Sequence, residues 1–231
     1  MKYVVALAVI FLSLNTAHAQ ENRFNAELDK FCNGVIKEFG SIPAERKIIL
    51  DELAKQLSGK KYVVFTCNTN SRRTLMLQVW AQTSFYYYSL FGKYAFSLGN
   101  TVTDVYPGVA GILSEAGFSV NYLKSAEPNG YVISINKDYP LNILSSKNEV
   151  GTIDTAKGIV VNICFEDEEQ GASTAFSHID LPYQSPTHFE QTPQERQKYR
   201  ELNRQIAVEM LYMSEKIKSI LVERDKGIHN H

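Results

Sequence analysis

The chain has 231 residues, of which 44% are apolar and 21% charged, and its 24 basic and 25 acidic side chains leave a formal net charge of -1. That apolar fraction supports a packed core and excludes wholesale disorder. The near-neutral balance argues against a surface built to hold nucleic acid or an acidic membrane, and three cysteines exclude a small disulfide scaffold and any four-cysteine zinc or iron–sulfur site.

Met1 and Lys2 lead into an apolar run over 4–12 and then into Ala17-His18-Ala19-Gln20. A basic start, a short apolar stretch and an Ala-x-Ala exit read as a secretory signal peptide over 1–19, cleaved after Ala19. The run is too short to cross a bilayer core of about 30 Å as a helix. The expected address is periplasmic or secreted, with no integral membrane segment after cleavage.

Residues 20–60 read as an N-terminal helical appendage. Leu28, Phe31, Cys32, Val35, Ile36 and Phe39 recur at steps of three and four, an apolar stripe suited to docking on a larger body. Gly40-Ser41-Ile42-Pro43 breaks the pattern, and Ile49, Leu53 and Leu57 continue it on a second helix. Cys32 lies on the stripe and reads as packing rather than chemistry.

Over 61–223 strand and helix signals alternate, with a flexible tail expected at 224–231. The β-branched and aromatic run 62–66 suits a buried parallel strand. A helix follows over about 74–90, then a strand over 94–98. The next helix spans about 105–116, with Asp104 as a candidate N-cap and Gly117 as its stop. Further strands are expected at 131–136 and 158–164. Thr192-Pro193-Gln194-Glu195 opens the last helix: Thr caps, Pro takes the first helical position and Glu completes a capping box. Its apolar face carries Tyr199, Leu202, Ile206, Met210, Met213, Ile217 and Ile220. Alternation of this kind favours a parallel sheet covered on both faces.

The segment after the first strand carries the candidate chemistry. It reads Cys67-Asn68-Thr69-Asn70-Ser71-Arg72-Arg73-Thr74, a Cys-x5-Arg pair between a strand's carboxyl end and a helix start. Open α/β sheets bind ligands there, and the amides of such a loop, backed by the helix N-terminus, cradle an anion. The same field favours a thiolate at Cys67. Arg73 is suited to grip two oxygens of a phosphoryl group while sulfur attacks in line. The Thr74 hydroxyl is expected on the thiolate, and Asn70 is expected to brace the loop. A bare Cys-x5-Arg also occurs where a cysteine merely ends an apolar strand.

Other features read as structural. Glu166-Asp167-Glu168-Glu169 is a solvated acidic loop rather than a cation site, since no second ligand cluster accompanies it. Phe85-Tyr86-Tyr87-Tyr88 reads as core and flank rather than a substrate cleft. His229 and His231 belong to the tail, short of the three or four organised donors a metal needs.

From 63 to 74 the residues resemble the opening of the low-molecular-weight protein tyrosine phosphatases and the related thioredoxin-type arsenate reductases: an apolar strand, then Cys-x-x-Asn-x-x-Arg-Ser/Thr. The resemblance continues in order. Ser97-Leu98-Gly99-Asn100-Thr101, Tyr106-Pro107 and Leu113-Ser114-Glu115-Ala116-Gly117-Phe118 look like the second strand and following helix. Val160-Val161-Asn162-Ile163-Cys164 looks like the last core strand, and Leu181-Pro182-Tyr183-Gln184-Ser185-Pro186 like the late catalytic loop. About 61–222 is covered; the residues before 60 are not.

The resemblance implies an α/β fold with a four-stranded parallel sheet and helices on both faces, and no metal or organic cofactor. It implies Cys67 as nucleophile, Arg73 as oxyanion clamp, Asn70 as loop brace and Thr74 as thiolate stabiliser. Asn68, Thr69, Asn70, Ser71, Arg72 and Arg73 would form the phosphate-binding loop. The implied substrate is a phosphate ester or phosphotyrosine.

Two positions depart from the family. Its general acid is an Asp directly before Pro, and Ser185 stands there instead. Loss of a positioned acid typically costs about 100- to 10,000-fold; Asp180 and Glu190 are the nearby carboxyls. The reductases' second cysteine matches Cys164, but Gly171 occupies the place of the third. The sequence thus supports an exported phosphatase using a cysteinyl-phosphate intermediate. Alternatives are a catalytically impaired oxyanion-binding module and an arsenate reductase using an external thiol. Oxidation of Cys67, or its pairing with Cys164, is also open outside the cytosol.

Overall fold

The computed structural model describes residues 24–124, 127–146, 153–165 and 178–228. The signal-peptide reading, the 166–169 acidic run, Gly171, His229 and His231 lie outside the described residues.

Two helices open the chain. In α1 (Ala26–Val35) the Asn25 side chain accepts the Leu28 N–H at 3.0 Å, and a 3-10 turn (Ile36–Ser41) leads on to α2 (Ala44–Ser58). Leu28, Cys32 and Val35 of α1 and Leu50, Leu53 and Leu57 of α2 are fully buried in the same core as the sheet.

The sheet is parallel and four-stranded, in the order β2-β1-β6-β7, from β1 (Tyr62–Thr69), β2 (Tyr94–Thr101), β6 (Gly158–Asn162) and β7 (His178–Asp180). Tyr62 to Thr66 pair with Tyr94 to Leu98 on one side and with Gly158 to Asn162 on the other. Because side chains alternate, Val63, Phe65, Ile159 and Val161 enter the main core, while Val64 and Val160 meet Tyr62, Leu98 and Ile153 in a small separate cluster.

After β1 comes α3 (Arg73–Tyr87), and after β2 comes α4 (Pro107–Glu115). The chain closes with the 34-residue α5 (Glu195–Ile228), against which all four other helices pack. Polar bonds seat α3 on α5: Trp80 Nε1 donates to Asn203 Oδ1 at 2.7 Å, and the Ser84 and Ser214 hydroxyls meet at 2.6 Å. No described helix is long and apolar enough to cross a membrane.

Three details differ from the sequence expectations. The strand expected at 131–136 belongs to a separate antiparallel sheet of β3 (Ser119–Leu123), β4 (Gly130–Ser134) and β5 (Pro140–Ile143); β7 is the fourth parallel strand. Alternation alone does not say which sheet a strand joins. Asp104 is not a cap, since its carboxylate accepts from the Asn129 backbone and side chain at 2.8 and 3.1 Å. Instead α4 starts at Pro107, whose fixed φ suits a first turn. The third detail is the start of α5. Thr192 Oγ1 accepts from Gln194 N at 3.2 Å, but the Glu195 carboxylate reaches back to Gln191 N at 2.7 Å rather than to Thr192.

Gly117 does end α4, with φ of +99° and with the Leu28 backbone nitrogen 2.4 Å from where a Cβ would stand. Only glycine allows both that conformation and the close approach of α1.

Candidate active site

The parallel register places the two sulfurs. Thr66 pairs with Asn162 as the last β1–β6 pair, so Cys67 and Cys164 emerge side by side at the carboxyl edge of the sheet. Their Cα atoms are 5.4 Å apart, the sulfurs are joined as a disulfide, and each residue is 4% exposed. Ile163 N donates to Thr66 O at 3.1 Å and Tyr183 N to Ile163 O at 3.1 Å, so the late loop lies beside them.

Arg73, at the first position of α3, is almost wholly buried. Its Nη2 lies 3.4 Å from Cys67 Sγ and its Nη1 donates to the Tyr183 carbonyl at 2.5 Å. Asn70 is fully buried and donates through Nδ2 to the Ser97 carbonyl at 3.0 Å. It thereby ties the turn to β2, and Gly99 makes room, since a Cβ there would stand 2.6 Å from Asn70 N.

Several expected contacts are replaced. Thr74 Oγ1 donates to Asn70 Oδ1 at 2.7 Å, so the hydroxyl expected on the sulfur braces the turn instead. Cys67, Asn68 and Thr69 continue β1, with Cys67 paired to Gly99 and Thr69 to Thr101. Along a strand, successive N–H groups point to opposite edges within the sheet, toward its neighbours. The amides from Cys67 to Thr69 therefore do not converge on one point, and only Asn70, Ser71 and Arg72 turn before the helix.

Arg72, expected in the phosphate-binding loop, is bound to Glu190. Its Nε and Nη2 donate to Glu190 Oε1 and Oε2 at 2.5 and 2.9 Å, and its Nη1 donates to Ser71 Oγ at 2.9 Å. The guanidinium also lies 4.6 Å from the Tyr106 ring centroid.

Asp180 and Glu190, the two carboxyls considered from the sequence, are both engaged by other side chains. Burial opposes ionisation of Glu190, but hydrogen bonds from Arg72 and from the Tyr199 hydroxyl at 2.6 Å outweigh it and hold the carboxyl below its ordinary value. Asp180 Oδ1 accepts from Asn162 Nδ2 at 2.9 Å. Ser185 is half-buried; its hydroxyl meets Thr187 Oγ1 at 2.9 Å, at the start of a short 3-10 turn.

Cys32 is free and fully buried; burial, with help from Asp29, pushes its thiol up to about 12. Phe85 is buried, and Tyr86, Tyr87 and Tyr88 pack against the core. Among the described residues no group of three or more His, Cys, Asp or Glu could hold a metal ion. A cleft of about 490 Å³ opens along Tyr62, Val64, Phe96 and Leu98, but includes neither Cys67 nor Arg73.

Sequence reasoning missed two parts of this site. One is the Arg72–Glu190 pair. The other is the ion pair of Arg46 with Glu209, whose carboxylate also accepts from the Tyr183 hydroxyl. The second left a trace: Glu209 sits seven residues after Leu202 and three after Ile206, a carboxylate on the apolar face of α5.

No family profile and no curated protein matches the chain. Among solved structures, a thioredoxin-dependent arsenate reductase from Corynebacterium glutamicum is similar at 13% identity and a TM-score of 0.37, over 78% of this chain and 92% of that one.

Proposed function

We propose that this is an exported thiol enzyme of the phosphatase type, in which the reduced Cys67 attacks the phosphorus of a phosphate monoester. The P–O bond breaks, the alcohol or phenol leaves with the electron pair, and water hydrolyses the cysteinyl phosphate. The observation that supports it is the Arg73 guanidinium 3.4 Å from Cys67 Sγ at the carboxyl edge of a parallel sheet. There a fixed cation lowers the thiol's pKa and meets the charge of the transferring group. The disulfide is then the resting, oxidised form. Turnover requires its reduction and release of Cys67 and Thr69 from their pairing with β2.

The deciding measurement is hydrolysis of two aryl phosphates, one with a good and one with a poor leaving group, by the reduced chain with Cys67→Ser as control. Turnover of the activated ester that vanishes in Cys67→Ser is the expected result. A folded chain that turns over neither ester sinks the reading.

The Cys67–Cys164 bond favours a second reading, arsenate reduction. Cys67 displaces water from arsenate, and the Cys164 thiolate then attacks the Cys67 sulfur. The S–As bond breaks with its electrons going to arsenic, so As(V) becomes As(III) and two thiols become this disulfide. An external thiol must restore them. Arsenate-dependent thiol consumption that disappears in Cys164→Ser, with ester hydrolysis retained, separates this reading from the first.

A further inference from the structure

Arg46 stands on α2, in the region before residue 60 that the family resemblance does not cover. Its Nε and Nη2 donate to Glu209 Oε1 and Oε2 at 2.7 and 2.6 Å, and its Nη1 donates to the Pro182 carbonyl at 2.9 Å. Its guanidinium lies 4.6 Å from the centroid of the Tyr183 ring. The Tyr183 hydroxyl donates to Glu209 Oε2 at 2.6 Å, and Tyr183 is 1% exposed. On the other side of the same residue, the Tyr183 carbonyl accepts from Arg73 Nη1.

We infer that Arg46 and Glu209 form a clamp that positions the Tyr183 carbonyl and, through it, aims Arg73 at Cys67. They are positioning residues supplied by the N-terminal helices and α5. This rests on the reading of Cys67 and Arg73 as the reacting pair.

Physical cost supports a role beyond stability. Removing an arginine and a glutamate from water is expensive, and apolar replacements of similar volume are often neutral or stabilising. Here the pair's bonds converge on residues 182 and 183, the two that carry the late loop past the sulfurs. The Pro182 carbonyl, the Tyr183 hydroxyl and the Tyr183 N–H are each bonded, which leaves the Tyr183 carbonyl a fixed acceptor. An arginine held at one nitrogen by a fixed acceptor keeps its other nitrogen on the sulfur without reorganising when charge develops.

The test uses the full reduced chain, alkylated with iodoacetamide at one pH and read cysteine by cysteine by peptide mass spectrometry, with and without inorganic phosphate. Tyr183→Phe removes one clamp bond. The paired Arg46→Met and Glu209→Leu removes the clamp without stranding a buried charge.

In the paired variant, Cys67 alkylation should fall about tenfold as Arg73 leaves the sulfur, and phosphate should protect it less, while the Cys32 and Cys164 rates hold. Tyr183→Phe should show a smaller fall in the same direction. Wild-type Cys67 reactivity in a folded paired variant overturns the clamp. So does faster alkylation of all three thiols, which reports general loosening. If phosphate fails to protect Cys67 even in the unaltered chain, the oxyanion reading falls, and the Cys67 rate alone decides the clamp.

Discussion

Arg73 holds Nη2 3.4 Å from the sulfur of Cys67, six residues earlier in the chain, while its Nη1 is spent on the Tyr183 carbonyl. The guanidinium thus bridges the first strand and the late loop, a geometry that a lysine's single ammonium does not reproduce. Arg73→Lys should keep Cys67 alkylation within a few-fold of wild type, because a cation is still present, yet lower Cys67-dependent ester turnover by about 100-fold. Equal turnover in the two proteins would show that a single cation suffices at position 73 and that the bridging geometry does not serve the chemistry.

The disulfide joins residues 97 apart in sequence. A cross-link closing so long a loop restricts the unfolded chain, so Cys164→Ser should cost about 2–4 kcal/mol of stability under non-reducing conditions. It should also free the Cys67 thiol without added reductant. Denaturant melts and thiol titration of the unfolded chain check both. The count should rise from one thiol in the wild type to two in Cys164→Ser; a fall from three to two would mean that the bond does not form in solution.

Ser185 already occupies a turn start, with its hydroxyl 2.9 Å from Thr187 Oγ1, and an aspartate can accept the same bond. Ser185→Asp should therefore fold normally and raise kcat for the poor leaving group by about tenfold or more, with little change for the good one. Equal effects on both esters would show that position 185 does not serve the leaving group.

Glu190 ties the late loop to Arg72. Its folded pKa lies below the ordinary glutamate value of 4.5 despite burial, because Arg72 and Tyr199 favour the carboxylate. A depressed pKa contributes stability that is fully present above 4.5 and lost as pH falls through the folded value. The melting temperature of wild type should exceed that of Glu190→Gln at pH 7, and the gap should close on acidification below 4.5. A gap independent of pH would show that the Arg72–Glu190 charge pair is not its source.

Gly117 combines a φ of +99° with a Cβ position 2.4 Å from the Leu28 backbone nitrogen. Gly117→Ala should cost about 2 kcal/mol, from backbone strain and displacement of α1. In a chain of this size that is a drop of about 4–8 °C in Tm. No change in Tm would mean that neither the left-handed backbone at 117 nor the close approach of α1 holds in solution.

Particular residues show how far the sequence reached. The alternation from residue 61 onward pointed to the parallel sheet, because buried strands and their crossover helices write their own periodicities. The stripe from Leu28 to Val35 and the face of α5 were legible for the same reason, and Gly117 announced its helix end. Asn70 was recognised as a brace, although its partners, Ser97 and Thr74, were not.

What the sequence by itself determined about this protein is local: element types, the Cys67–Arg73 spacing before a helix, and the serine at position 185. Tertiary structure decided which distant groups share space. The β1–β6 register brings Cys164 to Cys67, helix packing lets Arg46 and Glu209 meet at the Tyr183 side chain, and loop placement pairs Arg72 with Glu190. The reason is physical. Periodicity and capping act over a few residues and are written in consecutive side chains, whereas ion pairs and disulfides act between residues adjacent only after the chain has folded.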